Sequence, residues 1–146
     1  MGLDNINAMI ANVEFFSICN DEQIRLLAFA SEMQRYNARD IIAKGNVGTD
    51  GAYIINQGTV LINDDKELDK KSYFISGPNV LIGERSLLLN RPLRSTIIAS
   101  DNVEALFVPQ KAFFKLLRQY PEIAGLIAKR IEESLDNYLR SFDGLR

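Results

Sequence analysis

Between residues 32 and 109 the chain alternates short β-forming runs with turn residues, and this restricts its fold more than any other feature. Seven runs, at 33–36, 41–43, 52–56, 60–63, 72–75, 96–99 and 104–108, carry most of the β-branched and aromatic residues of this region. Turn chemistry separates them: Asn37-Ala38-Arg39-Asp40, Lys44-Gly45-Asn46-Val47-Gly48-Thr49-Asp50-Gly51, Gln57-Gly58, Asn63-Asp64-Asp65 and Ser76-Gly77-Pro78-Asn79. Strands this short, with no long helix between them, do not make βαβ units; they suit a sandwich, jelly roll or small barrel. One island interrupts the pattern, Gly83-Glu84-Arg85-Ser86-Leu87-Leu88-Leu89-Asn90, and its Leu run after a Gly-Glu start predicts one or two helical turns. The N–H groups that open such a helix lack intrahelical partners and can hold an anion.

Helical signals flank the β region. Residues 3–31 read as helical, with Asn20 as an N-cap and Ile24, Leu27, Ala28 and Ser31 on the helical period behind it. Asp21 and Glu22 fall in the first turn, where the helix dipole favours them. From Gln110 the period returns with Phe113, Phe114, Leu116 and Leu117, and it stops near Tyr120 because a proline disfavours helix in the residue before it. Pro121 suits the first turn of a last helix, predicted to reach about Leu139. That helix carries an apolar stripe, Ile123, Leu126, Ile127, Ile131, Leu135, Tyr138 and Leu139, opposite Glu122, Lys129, Glu132, Glu133 and Asp136. The stripe suits either the chain's own core or a symmetric helix–helix contact between two copies.

The 146 residues match one domain, 1–146, of mainly β, α+β class: N-terminal helices 3–31, a β-roll 32–109 and C-terminal helices 110–139. There is no histidine, which sets aside Ser-His-Asp and Cys-His nucleophile systems and most zinc, copper and non-haem iron sites. Cys19 is alone in an apolar run, so no intrachain disulfide forms, and the sequence predicts a buried, inert thiol. A net charge of −2 argues against a duplex-DNA binder. No stretch approaches the roughly 18 consecutive apolar residues of a membrane span, and residues 1–12 lack the pattern of a signal peptide. A reducing, cytoplasmic setting is expected, and a binding or interaction domain is favoured over an enzyme, with no catalytic residue and no metal assigned.

The span from Leu81 to Ala99, Leu-Ile-Gly-Glu-Arg-Ser-Leu-Leu-Leu-Asn-Arg-Pro-Leu-Arg-Ser-Thr-Ile-Ile-Ala, resembles the phosphate-binding cassette of cyclic nucleotide-binding domains. Lys44-Gly45-Asn46, the stretch from Ala52 to Val60 and the stretch from Val103 to Phe114 are similar to that family's flanking strands and helix. The resemblance covers about residues 13–139. It implies N-terminal helices, an eight-stranded β-roll or jelly roll holding a short cassette helix, and two C-terminal helices.

The resemblance also implies a site. Gly83 matches the glycine that lets backbone approach the ligand, and Glu84 the carboxylate that accepts from the ribose 2′-hydroxyl. Arg85 and Ser86 match the residues whose N–H groups face the phosphate, with Ser95 and Thr96 the small and hydroxyl residues that follow the phosphate arginine. Leu93 stands where that arginine is expected. A one-residue bulge would bring Arg94 to the pocket, and Arg91 or Arg85 would serve by swinging across. The implied function is a stand-alone regulatory sensor binding cyclic AMP or cyclic GMP through Gly83 and Glu84, without a required cofactor. A regulatory protein partner is expected, with no DNA and no membrane. The alternative is a non-binding dimerisation or protein-interaction domain with a vestigial pocket, joined through Ile123, Leu126, Ile127, Ile131 and Leu135.

Overall fold

The computed structural model describes residues 2–47, 50–64, 71–89 and 92–143, and the side chains of these apart from 64, 71 and 134–143. Helix α1 (Leu3–Ala11), a 3-10 turn (Glu14–Ile18) and α2 (Asp21–Ala30) precede eight strands. These are β1 (Glu32–Tyr36), β2 (Ile41–Ala43), β3 (Gly51–Gln57), β4 (Thr59–Asp64), β5 (Lys71–Ser76), β6 (Val80–Ile82), β7 (Thr96–Ala99) and β8 (Val103–Pro109). Helix α3 (Glu84–Leu89) sits between β6 and β7, and α4 (Gln110–Gln119) and α5 (Pro121–Asp143) close the chain. This is the mainly antiparallel β-roll with terminal helices that the sequence predicts. The strand β6 falls outside the seven expected runs. Residues 65–70, between β4 and β5, lie outside the described residues.

Two four-stranded antiparallel sheets form the roll, in the orders β1-β8-β3-β6 and β2-β7-β4-β5. The central strands β3 and β8 explain the continuous apolar runs in their sequences, because both of their faces are covered. Tyr53, Ile55, Val103 and Ala105 point into the roll, against Ile42, Ile62, Leu93 and Ile97. Ala52, Ile54, Leu106 and Val108 point the other way and meet Phe16, Leu87, Phe113, Leu116 and Ile123 from the helices. A strand residue alternates between faces, so each of these two strands feeds two cores. Fully burying one such side chain contributes about 1.5–3 kcal/mol.

Local chemistry fixes the helices as expected. Asn20 caps α2 through its Oδ1, which accepts from the Gln23 N–H at 2.9 Å, and the Gln23 side chain answers by accepting from the Asn20 N–H at 2.8 Å. Tyr120, with φ −128° and ψ 77°, breaks the helical path just before Pro121. On α5 only part of the predicted stripe faces the core: Ile123 and Ile127 are buried, whereas Leu126 and Ile131 are each 45% exposed. The side chains of Leu135, Tyr138 and Leu139 lie outside those described. Among the described side chains of the stripe, Ile123 and Ile127 are committed to the chain's own core, and Leu126 and Ile131 lie outside it. Arg130 ties α5 to the 3-10 turn by donating to the Phe15 carbonyl at 3.0 Å and to Ser17 Oγ at 3.1 Å. Beside it, burial pushes the Cys19 thiol up to about 11, against a smaller lowering by Arg130, so the thiol stays protonated near neutral pH. No helix among the described residues is long and apolar enough to cross a membrane.

Candidate ligand-binding site

The site is built where β6 turns into α3. Gly83 makes that turn at φ +98°, a region that side chains other than hydrogen rarely allow. A Cβ there would lie 2.9 Å from Leu93 Cδ1 and 3.2 Å from the Ala52 Cα, so the glycine is needed for space as well as for its dihedral angle. The Gly83 carbonyl accepts from the Ser86 N–H at 2.9 Å and from the Leu87 N–H at 3.3 Å, which closes the first turn of α3. Glu84 and Arg85 project from that turn into solvent, while Ser86 and Leu87 face inward.

The segment that returns from α3 to β7 is pinned by a second turn. The Asn46 N–H donates to the Leu93 carbonyl at 2.8 Å and the Gly45 N–H to Thr96 Oγ1 at 3.0 Å. Gly45 passes so close to Arg94 that an added Cβ would meet the Arg94 carbonyl oxygen at 2.2 Å. This turn has Asn46 at φ +63° and holds the stretch from Leu93 to Thr96 against the cassette.

Together these elements enclose a cavity of about 370 Å³, within the roughly 300–1,000 Å³ typical of small-molecule sites. Glu84, Arg85, Arg94 and Ser95 supply its polar groups, and Leu81, Ile82, Leu89, Pro92 and Leu93 its apolar wall. Tyr73 and Ile75 border it from β5. Their sheet partners Ile62 and Val60 are buried inside the roll, so residues 73 and 75 share the inner face of that edge strand. Residues 72–75, Ser-Tyr-Phe-Ile, show no alternation, and the face that points inward is settled by the pairing with β4.

The seven expected site residues divide five to two. Gly83, Glu84, Arg85, Arg94 and Ser95 line the one cavity. Ser86 does not: it is buried, its N–H closes the cassette turn, and its carbonyl accepts from Gln110 Nε2. Thr96 is likewise absent from the wall, because its hydroxyl faces the Gly45 turn. Arg91 lies outside the described residues. Leu93 is 4% exposed and belongs to the core between the sheets, where Ile82 and Ile97 surround it. Arg94, one residue on, is exposed at the cavity's edge. The arrangement is an apolar floor under a rim of two guanidinium groups and one carboxylate. Among the described residues, no group of three or more acidic or cysteine side chains is placed to hold a metal ion.

The family profile described as "Cyclic nucleotide-binding domain" matches residues 33–120, from β1 through the end of α4. The chain belongs to the cyclic nucleotide-binding domain family. A cGMP-dependent protein kinase of Plasmodium berghei is 30% identical over 126 residues, which cover 84% of this chain and 14% of the kinase. The domain therefore corresponds to about one seventh of that relative's length. Among solved structures, a cyclic nucleotide-binding-like protein from Brucella abortus has a TM-score of 0.64 at 23% identity, over 79% of this chain and 99% of its own. The regulatory domain of Toxoplasma gondii PKA, solved with cAMP, has a TM-score of 0.70 at 15% identity, over 90% of this chain and 50% of its own. These likenesses show a shared cyclic nucleotide-binding fold.

Proposed function

We propose that the domain is a ligand-sensing regulatory module that takes cyclic AMP or cyclic GMP in the cassette cavity, and binds it weakly. The observation that carries this reading is the convergence of Gly83, Glu84, Arg85, Arg94 and Ser95 on one cavity. Glu84 accepts from the ribose 2′-hydroxyl. Arg94, with Arg85 beside it, meets the cyclic phosphate from the rim, in place of an arginine rising from the floor. A guanidinium in solvent is screened and must be ordered on binding, so it holds a phosphate less tightly than a buried fork. The Plasmodium kinase and the cAMP-bound Toxoplasma domain support the choice of ligand class. In this reading the chain regulates and does not catalyse; the free Cys19 suits a reducing compartment, and the response is passed to a partner protein.

The role of Glu84 is tested by titrating the chain with cyclic AMP and with its 2′-deoxy analogue, followed by amide shifts in NMR. A hydrogen bond to an ionised group contributes about 1.5–3 kcal/mol, so the 2′-hydroxyl form is expected to bind roughly tenfold or more tightly. Glu84→Ala erases that preference. Equal affinity of the unaltered chain for the two nucleotides would remove Glu84 from the site.

A further inference from the structure

We infer that the outer face of the sheet β2-β7-β4-β5 is the surface through which two copies of this chain associate, sheet against sheet. The inference stands apart from the cassette reading, because the residues involved point away from the cavity. Cross-strand register builds the face. Ile41 pairs with Ile98, Ile98 with Leu61 and Leu61 with Phe74, so four large apolar side chains form one row across all four strands. Their strand neighbours Ile42, Ile97, Val60 and Ile62 are buried inside the roll, and since side chains alternate along a strand, the row lies outside. Its two ends are open: Ile41 is 59% exposed and Phe74 65%.

The residues flanking the row decide what can cover it. Thr59 and Ser76 lie in register on one side, and Thr96, Asn63 and Ser72 on the other. None of these five is charged, in a chain where 25% of residues are. Their polar groups already have partners within the roll. Thr59 Oγ1 and Ser76 Oγ are 2.7 Å apart, Ser72 Oγ donates to Asn63 Oδ1 at 2.7 Å, and Thr96 Oγ1 accepts from the Gly45 N–H at 3.0 Å. A polar group that keeps a hydrogen bond is the least costly kind to cover, so this face can lose its water readily.

The charge pattern names the occupant. A two-fold contact sets a surface against its own copy, where a charge near the axis meets its like and is repelled. An apolar row between uncharged flanks meets its copy without that penalty, and hydroxyl and carboxamide groups, which both donate and accept, match their own kind. Two such sheets pack about 10 Å apart with their side chains interdigitated. Four strands at about 4.8 Å spacing give a face roughly 20 Å on a side, on the order of 400 Å² per copy, against about 800 Å² per partner in a standard interface. The dimer is therefore a weak, reversible one.

Sedimentation equilibrium of the full chain without nucleotide, from about 10 µM to about 1 mM, tests this, and half-association near about 0.1 mM is expected. Ile41→Glu and Phe74→Glu, both at exposed positions, should raise the dissociation constant about tenfold or more while melting as the unaltered chain does. If either does not melt cooperatively, Ile41→Thr and Phe74→Thr keep β-propensity and should still weaken the dimer about fivefold. Leu126→Asp, on the exposed side of α5, should leave the dimer within about twofold. A chain that is monomeric at about 1 mM, a dimer untouched by the outer-face variants, or one dispersed by Leu126→Asp would each overturn the inference. Because no nucleotide is present, none of these outcomes bears on the ligand reading.

Discussion

Leu93→Arg is expected to tighten cyclic nucleotide binding by about a hundredfold, the largest gain in affinity that any single substitution in this domain should produce. Leu93 lies on the cavity wall with its Cδ1 facing the Gly83 turn, and its carbonyl is fixed by the Asn46 N–H. An arginine grown from that backbone reaches past Gly83 into the cavity and meets the phosphate from the apolar floor. A two-pronged guanidinium–phosphate contact in a water-poor site is worth about 3 kcal/mol, which is roughly two orders of magnitude in affinity. Without nucleotide the same arginine is poorly solvated beside Ile82 and Ile97, so the empty variant should melt below the unaltered protein. Nucleotide should then raise its melting temperature more than it raises that of the unaltered chain, because ligand stabilises in proportion to occupancy. Calorimetry and thermal melts read both effects. An affinity unchanged by Leu93→Arg would mean that the cyclic phosphate is not held at this wall.

Gly83→Val should be the most damaging substitution in the site. The backbone there has φ +98°, and a branched side chain in that region carries strain of about 1–3 kcal/mol before any contact is counted. Contacts add to it, since even the first carbon of a side chain meets Leu93 Cδ1 at 2.9 Å and the Gly51 carbonyl oxygen at 3.2 Å. Leu93 can turn aside; the backbone of β3 cannot. The expected result is a chain destabilised by about 2–4 kcal/mol in urea unfolding, with nucleotide binding abolished at concentrations that saturate the unaltered protein. A variant of undiminished stability would show that the β6–α3 turn has another conformation open to it.

What the sequence carried, and what it withheld, divides along physical lines. Signals that act over a few residues were legible: the Asn20 cap, the stop at Tyr120-Pro121, the Gly-Glu start of the cassette helix and the short β-forming runs set between turns. The strand Val80–Ile82 was not, because three residues behind Pro78 and Asn79 are too few for a period to show. Its existence depends on pairing with Tyr53, Ile54 and Ile55, which lie far away in sequence. The stripe on α5 was legible as apolar, but its division was not. Ile123 and Ile127, one turn apart, meet the core, and Leu126 and Ile131 rotate off that line into solvent.

The site follows the same rule. Gly83, Glu84, Arg85, Arg94 and Ser95 could be gathered from the cassette pattern, yet the two members that failed to reach the cavity were decided by distant backbone. Ser86 is drawn inward by Gln110, and Thr96 is turned toward Gly45. The wall from β5 was invisible for a similar reason, since only the register with Val60 and Ile62 fixes Tyr73 and Ile75 on the inner face. The choice between Leu93 and Arg94 could not be made from their adjacency. It is made by the Asn46 hydrogen bond and by the core that closes over Leu93.

The central claim, that a rim arginine on this cassette holds a cyclic nucleotide, meets its most direct test in isothermal calorimetry of the full chain with cyclic AMP and cyclic GMP, run beside Arg94→Ala. Saturable heat for at least one nucleotide below about 1 mM, weakened about tenfold or more by Arg94→Ala, is the result the structure predicts. No heat with either nucleotide at about 10 mM, or binding that Arg94→Ala leaves untouched, would contradict it.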